Sequence, residues 1–173
     1  MLTHFKDPAG IGFYDTSDDH ETLIQRPKDM QDNATPSGNA MAAQVLLELS
    51  LYTGNGRYWD VAEQATQGMI SRMARFPTGF AHWFCAADFI PSQPQEVAIV
   101  GEFGKTGTMK LLEVAQNRYR PNLVTAVGLD SSAIPLLADR PQPKGSPPPT
   151  FAVVFVCQQP VTGAGQVGAA IER

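Results

Sequence analysis

The residues best able to do chemistry lie in one short stretch, RPKDMQDNATPSGNA at positions 26–40. Hydrogen-bond donors, acceptors and amides that do both are combined there, at Arg26, Lys28, Asp29, Asp32, Asn33 and Asn39. Such a mixture suits a hydroxyl-rich small ligand, for which these six residues are the predicted binding set. It suits equally a self-satisfied hydrogen-bond network that holds an irregular loop in place. From sequence alone both interpretations stay open.

His82, Asp29 and Asp32 are the candidates for a catalytic proton carrier. Proton abstraction beside a sugar carbonyl needs a base within hydrogen-bond reach of the carbon-bound proton. His82 lies in the apolar segment FAHWFCAADFI, where a core histidine is the ordinary interpretation and a cavity-facing one the alternative. The acidic run around 15–21 offers paired carboxylates for work on a sugar, although a solvated loop explains it more simply.

Three features that often accompany cofactors do not have the required spacing. No two of the three histidines have metal-ligand spacing on one element, and neither Cys85 nor Cys157 lies in a CxxC motif. The glycines of GEFGKTG at 101–107 fit neither a phosphate loop nor a dinucleotide loop. We therefore expect no metal and no cofactor, with a tight turn at 101–107.

Composition excludes two further classes of function. The 173 residues include 13 Lys and Arg against 17 Asp and Glu. Without a basic stripe, a nucleic-acid partner is not expected. Apolar runs fall short of the ~20 residues that span a bilayer, so no membrane association is expected. The N-terminal residues lack a signal-peptide layout, and together with two distant cysteines this predicts a cytoplasmic location.

The first half of the chain has helical periodicity. Thr35 is the predicted N-cap and Pro36 the first helical residue of a helix that runs to 52. Its apolar residues occupy nearly the whole circumference, which predicts burial on several sides. A Thr-Gly-Asn-Gly turn then leads into a one-faced amphipathic helix at 57–76, and a third helix is expected at 78–90. Helical hairpins of this kind are the repeating unit of two-layer helical barrels.

The second half has a different pattern. EVAIVG at 96–101 and LVTAVG at 123–128 resemble strands, with a helix at 108–119 between them. This order predicts parallel pairing through a helical crossover. FAVVFVC at 151–157 is a third predicted strand, and a short helix is expected near 166–172. The fold class is therefore α+β.

Two regions follow from this change of pattern. We expect a helical-hairpin region at 1–92 and a small α/β region at 93–173, packed on it.

Several of these segments together resemble a known family. They are GIGFYDTSDD, RPKDMQDNATPSGNAMAA, TGNGRYW, EVAIVG, NRYRPN and CQQPVT. In them the chain is similar to the C-terminal part of the thioredoxin-domain-containing, spermatogenesis-associated family. Its members carry a thioredoxin-like domain followed by an α/α-toroid of the N-acylglucosamine 2-epimerase-like kind. The resemblance implies a partial α/α-toroid here, without the thioredoxin domain or its redox centre. A cysteine typical of the family is replaced by Ala152, so no paired-thiol function is expected.

The partial toroid carries the functional expectation. An inner helix at 37–52 would lack neighbours on one flank, and exposed large apolar side chains normally mark an interface. We therefore predict a module that acts by self-association, or by binding a ligand or a partner that supplies the missing helices. The alternative is a sugar-active epimerase- or isomerase-like enzyme whose site is completed across an oligomer interface.

Overall fold

The computed structural model describes residues 1–21, 24–129, 133–138, 151–154, 160–161 and 163–172. Two compact units divide the chain. The first contains residues 1–50 and 55–91, and the second contains residues 51–54 and 92–173. Their sheet and helices together form an α+β structure, which confirms the predicted fold class at this level.

An irregular N-terminal segment opens the first unit. It turns back on itself through one antiparallel bridge between Lys6 and Phe13, supported by a hydrogen bond from the Tyr14 amide to the Phe5 carbonyl (2.8 Å). Phe13 is 4% exposed, so this turn places an aromatic side chain in the core.

Helix α1, Gly38–Thr53, begins two residues later than the predicted N-cap implies. The Ser37 hydroxyl, not that of Thr35, accepts from the amide of Ala40 (3.2 Å). Pro36 therefore precedes the helix. The Ser37 amide is itself bound to the Asp32 carboxylate (2.8 Å), a contact across five residues that keeps residue 37 out of the helix.

Helix α1 is also less buried than its composition predicts. One face is buried, with Ala40, Ala43, Leu46 and Leu47 at 0–2% exposure. The opposite face leaves Met41 and Val45 each 43% exposed and Leu49 38% exposed. The prediction of burial on several sides is thus wrong within this chain, because no described element covers that face completely.

The predicted helix at 57–76 is two helices. Helix α2, Gly56–Gln67, is capped by the Asn55 side chain, and α3 spans Ile70–Arg75. At the break, a side chain on Gly68 would place its Cβ 2.6 Å from Cδ1 of Ile11. Any larger residue there would have to displace the Ile11 side chain, and glycine weakens a helix.

The third predicted helix is shorter and one-sided. A 3-10 turn at Pro77–Phe80 precedes α4, Trp83–Phe89. Trp83, Ala86 and Phe89 are buried, whereas Phe84 is 44% exposed. The helix expected at 78–90 is thus confined to Trp83–Phe89 and is buried along one side.

The second unit contains a mixed sheet. Strand β1, Gln95–Val100, leads through α5, Thr106–Gln116, to β2, Leu123–Gly128. The two strands are parallel, with Gln95 opposite Leu123, which confirms the predicted crossover unit. Strands β3, Phe151–Val154, and β4, Pro160–Val161, extend the sheet antiparallel on the other side of β1, in the order β2-β1-β3-β4.

Two helices cover one face of this sheet. Leu111 and Ala115 of α5 pack with Val97 and Ile99 of β1. Helix α6, Ala164–Ile171, adds Val167, Ala170 and Ile171 to the same cluster. The predicted short C-terminal helix is thus confirmed, and it completes a small apolar core of its own.

None of the helices in the described ranges combines the length and the continuous apolar character needed to cross a bilayer.

Candidate functional site

Asn39, one of the predicted ligand-binding residues, is buried at 2% exposure. Its Oδ1 accepts from the Phe13 amide (2.6 Å), and its Nδ2 donates to the carbonyls of Phe13 (2.9 Å) and Asp29 (2.7 Å). Both amide donors are therefore used on backbone. Asn39 thus connects α1 to the N-terminal turn and to residues 26–37 before the helix, here called the polar loop.

Asp32 uses its carboxylate in the same way. Oδ1 accepts from the Ser37 amide (2.8 Å), and Oδ2 accepts from the His82 amide (2.7 Å). The Asp32 amide donates to the Gly79 carbonyl (2.8 Å). Both oxygens thus fix the chain just before α1 and just before α4, so the carboxylate serves to position backbone.

Arg26 and Lys28 fasten the N-terminal segment. Arg26 Nη2 donates to the carbonyls of His4 (3.0 Å) and Thr16 (2.5 Å), and its guanidinium lies 4.2 Å from the Tyr14 ring centroid. Lys28 Nζ contacts Asp7 Oδ2 (2.5 Å) and the Ile11 carbonyl (2.7 Å).

Asp29 and Asn33 lie at the surface. The Asp29 amide donates to Asp15 Oδ2 (3.0 Å), and Asp29 Oδ1 accepts from the Gln31 amide (3.1 Å). Asn33 is exposed, and its backbone amide donates to the Thr35 carbonyl (3.0 Å). The predicted binding set therefore disperses into several local networks, in which Arg26, Lys28, Asp32 and Asn39 bind backbone of their own unit.

His82 approaches Asp32 through its backbone and not through its ring. The residue is half-buried, and within the described ranges its Nε2 is buried without a hydrogen-bond partner. The ring is therefore not paired with either carboxylate proposed for proton transfer. A catalytic role for His82, Asp29 or Asp32 stays a prediction.

The pair of Asp7 and Lys28 gives a testable dependence on pH. The hydrogen bond from Lys28, with a second from the Ala9 amide, holds the pKa of the Asp7 carboxyl below its usual range. A depressed pKa in the folded state contributes stability above the unfolded pKa of about 4 and loses it as pH falls. We expect Asp7→Asn and Lys28→Met each to flatten the fall in unfolding free energy below about pH 4. Urea denaturation at several pH values measures this, and an unchanged slope in Asp7→Asn would contradict it.

The acidic run near residue 18 forms an exposed cluster with a histidine. His4 Nδ1 lies 2.7 Å from Asp18 Oδ1, and possible ligand atoms of His4, Asp18 and Asp19 lie within 4.8 Å of one another. The Ser17 hydroxyl donates to Asp19 and lowers the pKa of its carboxyl. Sequence spacing does not indicate this group, because His4 is 14 residues from Asp18.

The cysteines and the glycine loop show no reactive arrangement in the described ranges. Cys85 is exposed and free, and Cys157 lies outside the described residues. The turn predicted at 101–107 ends at Lys105, because α5 begins at Thr106. In this turn Gly104 has φ +89°, and Lys105 forms an exposed pair with Glu102 (3.6 Å).

A cavity that the sequence did not indicate lies in the first unit. Its volume is about 730 Å³. Helix α3, the following 3-10 turn and the polar loop contribute its lining: Gln31, Ser71, Arg72, Arg75, Phe76, Thr78, Gly79 and Phe80. The signal available in sequence was the pair of arginines three residues apart, Arg72 and Arg75, close before Thr-Gly-Phe.

Two cavities of the second unit share a short segment. They measure about 470 Å³ and 640 Å³, and Arg118, Tyr119 and Arg120 line both. Arg118 is paired with Glu172 (2.9 Å), and Arg120 Nη1 donates to the Ala115 carbonyl (3.2 Å) at the end of α5. Arginine at a helix C-terminus is an ordinary capping arrangement.

Comparison with known proteins shows which sequences this chain is similar to. Over 131 residues the chain is 30% identical to spermatogenesis-associated protein 20 of Mus musculus. The chain is thus similar to a segment of that protein. The rat protein of the same name matches equally, and the human one is 30% identical over 112 residues. The similarity supports the resemblance to the spermatogenesis-associated family that the sequence motifs indicated.

The match to the mouse protein covers 74% of this chain but only 17% of that protein. The match to the human protein covers 64% of this chain and 14% of that protein. The chain therefore spans less than a fifth of the length of these relatives. No family model matches the chain, and no solved structure does.

Proposed function

We propose that the first unit is part of an α/α-toroid and that the chain works by association through the exposed face of α1. Met41, Val45 and Leu49 define this face, here called the α1 stripe. They are spaced four residues apart, so they lie on one side of the helix. Each is between 38% and 43% exposed.

The energetics of the α1 stripe support association. Fully burying a Met, Val or Leu side chain is worth about 1.5–3 kcal/mol, and each stripe residue keeps roughly two fifths of its surface in water. Covering the stripe would therefore contribute roughly 1 kcal/mol per residue. Gln44 and Glu48, joined by a hydrogen bond of 3.1 Å, lie along the same helix. An apolar line beside polar residues is typical of a helix–helix interface.

The occupant that we propose is a second copy of this chain. In a toroid each inner helix packs against the inner helices on both sides, and in the described structure α1 is covered on one face only. A second α1 stripe offers a matching apolar surface related by two-fold symmetry. The partial toroid fits a cytoplasmic protein, for which the free, exposed Cys85 is ordinary.

A sugar-active epimerase or isomerase is the alternative function. It requires a base that is free to approach the substrate, in a site that is completed across the oligomer interface. Asp32 has both carboxylate oxygens bonded to backbone amides, and Asn39 uses its side-chain amide on backbone. Association requires no free catalytic base, and for this reason we prefer a function by association to an enzymatic one.

Substitution of Val45 tests the proposal. We expect the wild-type chain to assemble at micromolar concentration, with at least twice the mass of one chain by light scattering. Val45→Lys places a charge in the middle of the α1 stripe and is expected to shift the protein to monomer. Ile70→Lys is the matched control, because Ile70 is β-branched and 45% exposed on another helix. It should leave assembly unchanged. A wild-type monomer, or equal assembly of Val45→Lys, would contradict the proposal.

A further inference from the structure

The 730 Å³ cavity of the first unit has a polar residue, Gln31, at its edge, and the backbone on both sides of this residue is held by hydrogen bonds. The Met30 carbonyl accepts from Trp83 Nε1 (2.8 Å), and the Asp32 amide donates to the Gly79 carbonyl (2.8 Å). The backbone amide of Gln31, between them, donates to Asp29 Oδ1 (3.1 Å). Because its neighbours are held, Gln31 has a defined backbone position, and a preorganised group costs less entropy on binding.

Gly79 leaves room for the Gln31 side chain. A Cβ at position 79 would lie 3.1 Å from Gln31 Nε2 and 3.5 Å from its Cδ. The side-chain amide of Gln31 therefore lies directly over the glycine backbone, at the lining of the cavity. An amide in such a place can donate and accept at once, as a hydroxyl group of a ligand requires.

Positive charge is concentrated on the α3 side of the cavity. Arg72 and Arg75 both line it, and within the described ranges neither has a carboxylate partner. Arg75 lies 5.1 Å from the Phe76 ring centroid, and Arg72 Nη1 lies 3.8 Å from the Met69 sulfur. Two guanidinium groups without carboxylate partners favour an anion, since arginine binds carboxylate and phosphate oxygens in a fork.

The remaining lining residues can contact a ligand ring that carries hydroxyl groups. Ser71 and Thr78 contribute hydroxyl groups, and Phe76, which is 55% exposed, adds apolar surface. A volume of about 730 Å³ lies within the range of small-molecule sites. We infer that this cavity binds an anionic, hydroxyl-rich small molecule, either a phosphorylated monosaccharide or a sugar acid.

This site is separate from the predicted binding set and from the α1 stripe. None of Arg26, Lys28, Asp29, Asp32, Asn33 and Asn39 lines the cavity, and Gln31 is their neighbour in sequence. None of Met41, Val45 and Leu49 lines it either. Ligand binding and association can therefore fail independently.

Calorimetric titration with four probes tests the inference: glucose, glucose 6-phosphate, glucuronate and inorganic phosphate. We expect at least one of the two charged sugars to bind saturably and about tenfold or more tighter than glucose, because the charge-assisted hydrogen bonds are stronger than neutral ones. The charged sugar should also bind more tightly than phosphate alone, since the hydroxyl groups add contacts. Whichever charged sugar binds identifies the source of the charge.

Three variants locate the binding. Arg72→Gln with Arg75→Gln should weaken binding of the charged sugar by about tenfold or more. Gly79→Ala should weaken it less, because the new methyl group displaces only the Gln31 amide. Arg57→Gln, which removes one positive charge from the exposed start of α2, away from the cavity lining, should leave binding unchanged. Circular dichroism melting confirms that each variant is folded.

Three results would overturn the inference. They are no saturable binding of either charged sugar, equal binding of glucose, and undiminished binding by the folded double-arginine variant.

Discussion

Replacing Asn39 with alanine is expected to lower the free energy of unfolding by about 3–5 kcal/mol, because each buried group left without a partner costs about 1–3 kcal/mol. The Asn39 amide satisfies the amide and carbonyl of Phe13 and the carbonyl of Asp29. Alanine cannot replace any of these bonds, and at 2% exposure water does not reach the site easily. Urea denaturation followed by circular dichroism measures the loss.

The same stretch of sequence supplies the control. Asn33 is exposed, and Asn33→Ala is expected to change the unfolding free energy by less than about 0.5 kcal/mol. Asn39→Asp removes the two amide donors while keeping the shape, so it should be nearly as damaging as alanine. If Asn39→Ala and Asn33→Ala destabilise equally, Asn39 does not hold the loop as the structure indicates.

These two asparagines show what sequence could not supply. Both lie in DNATPSGN, and both have the same capacity for hydrogen bonds. Only the return of the N-terminal segment, which brings Phe13 against a residue 26 positions away, separates the buried one from the exposed one. Composition thus indicated a dense group of polar side chains, as a network or as a ligand site, without indicating which atoms would be joined.

Elements set by local periodicity were predicted well. The parallel pair of β1 and β2 with its crossover helix followed from two strand-like apolar runs and the spacing between them. Errors arose where a distant segment intervened. The predicted helix at 57–76 breaks at Gly68, where Ile11 of the N-terminal segment lies close, and the Asp32 carboxylate binds the Ser37 amide just before α1. Neither contact has a local signature in the sequence.

The cavity was missed for a related reason. An amphipathic pattern assigns Arg72 to a solvated face, and nothing in the sequence shows that Gln31 lies beside Gly79. That neighbourhood is created by the hydrogen bond between the Asp32 amide and the Gly79 carbonyl, 47 residues apart in sequence (2.8 Å). Asp32 therefore shapes both the polar loop and the cavity lining.

Replacing Asp32 with alanine is expected to lower the unfolding free energy by about 2–4 kcal/mol, since two backbone amides lose bonds to a charged acceptor. The Ser37 amide precedes α1, and the His82 amide precedes α4. Asp32→Asn keeps one oxygen acceptor, so its effect should be about half as large. Urea denaturation of the three proteins at neutral pH measures the series.

Asp29→Ala is the matched control for this series, because the Asp29 carboxylate is exposed and accepts one bond from the nearby Gln31 amide. We expect its cost to stay below about 1 kcal/mol. Equal losses for Asp29→Ala and Asp32→Ala would mean that the bridge from the polar loop to the two helix starts adds nothing to stability. The opposite result, with Asp32→Asn between the other two, would identify the Asp32 carboxylate as a structural group and leave catalysis without its acidic candidate at that position.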